Sequence, residues 1–191
     1  MVVAALVSLA ACAHTSSSAP PVPPPGTHDA APALTTAGPP WPAPSGDVEA
    51  LVRKAGLTLL ASEGAGEHIH AHLDVFYDGA AVEVPANVGI DLRRSGISSL
   101  HTHDATGIVH VESPDVRPFT LGQFFTEWGV SMTATCVGEC SPSHPISVFV
   151  NGAKVETQAD QVMIVDHAEI MVVVGAPPAR IPASYTFPKG Y

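Results

Sequence analysis

The chain has 191 residues, 46% of them hydrophobic, which is room and material for one ordinary domain with its own core. Its formal charge is −10 with only 8 Lys and Arg together, so it lacks the clustered cations that phosphate backbones require, and no nucleic-acid partner is expected. No P-loop, dinucleotide fingerprint or G-x-S-x-G elbow occurs, which sets aside nucleotide-dependent and serine-hydrolase chemistry.

Residues 1–11, MVVAALVSLAA, are apolar, too short to span a bilayer, and end in small residues directly before Cys12, the pattern of a signal peptide. The run LAAC that ends at Cys12 resembles the lipobox of bacterial lipoproteins, although no basic segment precedes the apolar run. That resemblance implies lipidation of Cys12, palmitate included, a membrane partner reached through the lipid anchor, and an extracytoplasmic location. Residues 12–46 then read as the lipidated cysteine and a Pro/Ala/Ser-rich tether, too poor in large apolar side chains to offset its ordering entropy. His14 and His28 fall in this tether and carry no expected role.

The folded domain is expected over residues 47–191. GDVEALVRKAG predicts a short helix with Asp47 as N-cap and Gly56 as stop. From Leu73 the period changes to two: Leu73, Val75 and Tyr77 alternate with Asp74, Phe76 and Asp78, and Asp78-Gly79 signals a hairpin. A similar hairpin follows at ISVFVNGAKVE, residues 146–156, with Asn151-Gly152 at the turn. Between them, FTLGQFFTEWG predicts the main helix, with Thr120 and Gln123 as a capping box and Leu121, Phe124, Phe125 and Trp128 on one core face. The segment DQVMIVDHAEIMVVVGAP suggests two further buried strands, and the stretch from Ile146 onward is similar to the close of β-grasp domains. The expected class is α+β: a mixed or antiparallel sheet built from two similar hairpins with one main packed helix.

Chemistry concentrates elsewhere. Six of the ten histidines lie between residues 68 and 110, in EHIHAHLDVFYDG and HTHDATGIVHVE. Alternate residues of a strand share a face, so His68, His70 and His72 form one row, and His101 with His103 forms another doublet. One strand cannot complete a coordination shell, but two His-x-His segments offer four neutral nitrogens. The expected ligands are His70, His72, His101 and His103, then His110, with His68 last. Asp104 or Glu112 is available as a fifth ligand or as an acceptor for a ligand's N–H. The donor set suits copper or zinc. His144 and His167 stand singly and read as structural or exposed.

Cys136 and Cys140 remain as an even pair, expected as a disulfide outside the reducing cytoplasm. CVGECSP is also similar in spacing to the thiol pair of Sco-type copper-delivery proteins, which leaves a Cu(I) thiolate pair open. The His-x-His spacing is similar to the cupin metal motif, without that family's further ligand blocks. HIHAHLDVFYDG, HTHDATGIVHVESP and FTLGQFFTEWGV together resemble a group of extracytoplasmic bacterial and archaeal domains that brings no established activity. Two functions follow: a membrane-anchored lipoprotein that binds a transition metal without catalysis, or a metal-dependent enzyme with an open coordination position. A histidine-bearing surface that senses pH is a third.

Overall fold

A computed structural model of the chain describes Met1 and residues 32–191. The expected signal peptide, Cys12 and the first part of the tether therefore lie outside the described residues, apart from Met1. In chain order the elements are α1 (Val48–Lys54), β1 (Leu59–Leu60), β2 (Glu67–Tyr77), β3 (Ala80–Val82), β4 (Ile90–Asp91), β5 (Gly96–Ser98) and β6 (Leu100–His101). They continue with β7 (Ile108–Ser113), α2 (Leu121–Trp128), β8 (Ile146–Val150), β9 (Ala153–Lys154), a short 3-10 turn (Ala159–Gln161) and β10 (Glu169–Val174). The α+β class is as expected. No helix among the described residues is long and apolar enough to cross a membrane.

The main sheet runs β6-β7-β2-β10-β8-β9, with β3 paired to β2 beyond the β7 contact; β1, β5 and β4 form a small separate sheet. β2 and β10 are parallel and the other pairs antiparallel. Both expected hairpins form. Asp78 and Gly79 take φ of 48° and 78°, and Asn151 and Gly152 take 50° and 80°, the left-handed pair that a two-residue turn requires. The two hairpins lie in one sheet on either side of β10.

Strand alternation divides this sheet into two chemically different faces. Ala71, Leu73 and Val75 of β2, Val109 and Val111 of β7, and Ile170, Val172 and Val174 of β10 belong to the apolar core. α2 closes that face with Leu121, Phe124, Phe125 and Trp128. The helix begins at Thr120, whose hydroxyl accepts from Gln123 N–H while the Gln123 side chain accepts from Thr120 N–H, and it ends at Gly129 in the left-handed conformation. α1 is capped by the Asp47 carboxylate, which accepts from Ala50 N–H.

Two expectations need correction. The folded unit reaches back to about residue 32 and does not start at Asp47. Thr35 bridges to Val130, and Trp41, 4% exposed, packs edge-on against Trp128 and Tyr77. One indole buries enough apolar surface to hold a Pro-rich run in place, and Trp128 Nε1–H fastens it by donating to the Trp41 carbonyl. The second correction concerns the C-terminal part. Of the two strands expected there only β10 forms; residues 162–164 instead make a single bridge, Thr120 to Met163, beside the start of α2.

Glu127 is fully buried beneath β5, where Ser98 Oγ–H donates to its Oε1 and its Oε2 has no partner. Burial pushes its pKa up to about 8, against the weaker opposing effect of Ser98. The folded state therefore holds a proton that the unfolded chain releases at the ordinary carboxyl pKa, so stability falls as pH rises from about 4.5 to 8. Glu127→Gln keeps an acceptor for Ser98 and removes the ionisation. In urea melts it should exceed the parent by roughly 2–4 kcal/mol at pH 8.5 and converge with it near pH 4.5. Equal gains at both pH values would contradict this account.

Cys136 and Cys140 are bonded to each other, as the even pair suggested. No free thiolate pair is then present for Cu(I). Thiol labelling without reductant should modify neither cysteine, and reduction should lower stability by about 2 kcal/mol, the closure entropy of so short a loop. Two labelled thiols in untreated protein would reject the bond.

Candidate metal centre

Three adjacent strands each contribute a histidine at one level of the sheet. His101 on β6 stands opposite His110 on β7, and His110 stands opposite His70 on β2. Their strand neighbours Leu100, Val109, Val111 and Ala71 point into the core, so the three imidazoles emerge on the face away from α2. His68 and Glu112 form the next level. His103, just beyond β6, lies with its ring centroid 4.7 Å from that of His101 and 4.5 Å from that of His110. The chain of rings closes through His70, 4.6 Å from His110 and 4.9 Å from His68.

The donor atoms converge as well as the rings. One from each of His101, His103, His110 and Glu112 lies within 4.8 Å of all the others. His101 Nε2 and His103 Nε2 are 3.1 Å apart. A tetrahedral ion with bonds of about 2.0–2.1 Å spaces its ligand atoms by about 3.3 Å, so this separation fits a shared cation. The tautomer of His101 follows from its neighbour: Nδ1 is 2.9 Å from the Ser98 carbonyl, which can only accept, so Nδ1 carries the hydrogen and Nε2 keeps its lone pair. Buried backbone thus aims a free nitrogen at the cluster. Glu112 Oε1 lies 3.0 Å from His110 Nδ1 and fixes that ring in turn.

The electrostatics favour neutral donors. His101 is buried completely, and burial, with the nearby His103 and His110, pushes its pKa down to about 3. Burial, with His103 and His70, pushes His110 down to about 4. His70 is lowered by burial and by His68. Each of these rings is uncharged near pH 7 and keeps a lone pair for a Lewis acid. Glu112 is raised to about 7 by burial and by the adjacent Glu63. Among the described residues, the ion-pair contacts of Glu63 and Glu112 are with histidines alone, so no Lys or Arg supplies positive charge to the site.

His72 stands apart. Its Nε2–H donates to the Thr106 carbonyl at 3.0 Å, and its Nδ1 lies 2.7 Å from Glu169 Oε2. Burial lowers the His72 pKa, but the hydrogen bond and charge of Glu169 outweigh it and raise it; burial raises that of Glu169. One proton is held between the two groups. The ring also stacks on Tyr185 at 3.7 Å. Its donor atom forms a smaller group with Asp74 and Glu169, away from the main cluster. The reason is register: His70 faces His110, whereas His72, two residues on, faces Ile108 and Glu169.

The structure therefore brings together His70, His101, His103 and His110 of the expected ligands and separates His72. It adds His68, which ranked last. Glu112 joins the cluster, while Asp104 turns inward on its own loop and accepts from the Thr106 N–H and hydroxyl. Glu63, 3.4 Å from His103, was missed because it sits in the irregular segment between β1 and β2, where no periodicity marks it. The aromatic cover also went unread: Tyr191 packs over His70 and His110, and Phe187 over His167. His144 and His167 pair with Asp78 and Asp166 respectively, outside the cluster.

Searches of protein-family models, of curated proteins and of solved structures found no match to this chain.

Proposed function

We propose that this chain is an extracytoplasmic, lipid-anchored protein whose domain binds a transition metal, copper or zinc, through His101, His103 and His110 with Glu112 as fourth ligand. The carrying observation is the convergence of these four donor atoms within 4.8 Å in a site where, among the described residues, the acidic groups pair with histidines and with no Lys or Arg. Buried neutral imidazoles gain little from water and much from a Lewis acid, so a cation offsets the cost of having gathered them. Nitrogen donors with one carboxylate suit Zn(II) and Cu(II) better than Ca(II) or Mg(II), which prefer oxygen shells. Anchorage through Cys12 is supported by the LAAC run and by the Pro-rich segment after it.

A second reading, a metal-dependent enzyme, is favoured by one feature. The side of the site formed by His103 and Glu63 is open to solvent, with side-chain exposures of 42% and 50%. An ion held there has room for an exchangeable water, and Glu63 is placed to take its proton. A closed four-ligand shell in the metal-loaded protein favours binding alone, whereas a fast-exchanging bound water favours chemistry.

Dialysis of the purified full chain against Zn(II) tests the metal reading. His101→Ala combined with His103→Ala should weaken the tightest site by roughly 100-fold or more, while His72→Ala leaves it within a few fold. Unchanged affinity in the double variant would overturn the assignment. For the anchor, Cys12→Ser should move the protein from the membrane fraction to the soluble extracytoplasmic fraction, with loss of labelled palmitate. Persistent membrane association would remove that part of the proposal.

A further inference from the structure

We infer that the centre holds two metal ions, the second bound by His68, His70 and Glu112, with the Glu112 carboxylate shared between them. This rests on the metal reading above and extends it. Donor atoms of His68, His70 and Glu112 form their own group within 4.8 Å, separate from the histidines of the first group and joined to it by Glu112 alone. His68 Nε2 lies 3.5 Å from Glu112 Oε1, the oxygen that also meets His110 Nδ1. A carboxylate has two oxygens and can serve two cations at once.

The sheet supplies the spacing. Glu112 and His110 are on β7 and His68 and His70 on its neighbour β2, one strand step away, about 4.8 Å. Paired ions bridged by a carboxylate sit about 3.5–4 Å apart, so adjacent strands match a two-ion centre without any movement of the backbone. His70 gives independent support. Its residue is 6% exposed, and among the described residues neither ring nitrogen makes a hydrogen bond, unlike those of His72. Its ring nitrogens are thus not committed to a protein partner, and the ring lies against His68 and His110, where a second ion would stand. His72 has both ring nitrogens occupied and contributes nothing here.

Cu(II) is the probe, because two copper ions sharing a carboxylate couple magnetically. The full chain, dialysed against Cu(II), should bind two ions, with an integrated paramagnetic resonance signal clearly below the bound copper. His68→Ala alters a largely exposed side chain and spares the fold; combined with His70→Ala it should leave one ion with full signal intensity. His101→Ala with His103→Ala should likewise leave one ion, now at the second site. A single ion in the parent would overturn the two-ion centre whichever variant loses it; its loss from the His101 and His103 variant would leave the metal reading standing, and its retention there would overturn that reading too. Two ions with both retained in the His68 and His70 variant would place the second elsewhere and also overturn it. No bound copper in the parent would overturn both proposals together.

Discussion

The pairing register of β2 with β7, and of β7 with β6, is the constraint on which the rest of the structure depends. It aligns His70, His110 and His101 across three strands and, by the two-residue period, sends Ala71, Val109, Val111 and Leu100 to the opposite side. A slip of one residue would exchange the two sets, putting imidazoles under α2 and valines in the cluster. The apolar face thus holds the histidines in place. Packing of α2 and Trp41 on the core determines the register, and the register determines which nitrogens meet.

Gathering so many imidazoles on a covered face has an electrostatic consequence. Burial removes water that would stabilise a protonated ring, and each ring disfavours charge on the next, which is why His101 and His110 fall to about 3 and 4. The same burial raises Glu112 to about 7, with Glu63 adding to it. The cluster is thus a set of neutral imidazoles and acids oriented by the Ser98 carbonyl and by Glu112 and Glu63. At the His72–Glu169 pair the same ingredients have a different outcome, because both nitrogens of that ring have acceptors beside them and a proton fills the gap. Chemically similar histidines two residues apart on one strand are thereby given different work.

Much of the architecture was legible in local signals. The capping box at Thr120 and Gln123, the Asp47 cap, and the Asp-Gly and Asn-Gly turns act over a few residues, and all appear where the spacing placed them. The tether boundary was misplaced because composition averaged over a Pro-rich run hides a single tryptophan, whose value depends on a distant pocket between Tyr77 and Trp128. The segment at residues 162–164 has strand-like composition but lies beside the start of α2 and finds no strand partner there, only one bridge.

By itself the sequence determined which side chains were available: two histidine doublets, a third strand histidine at His110, Glu112 two residues beyond it, and the alternation that keeps each set on one face. These are properties of neighbours along the chain, and the strand period transmits them directly. Only the tertiary structure decided that His68 belongs with the cluster and His72 outside it, that Glu63 joins from an irregular segment, and that Tyr185 and Tyr191 return to cover the face. Those outcomes depend on strand register and on the path of the chain's last segment. Both are set by packing between residues far apart in sequence, where no local period carries the information.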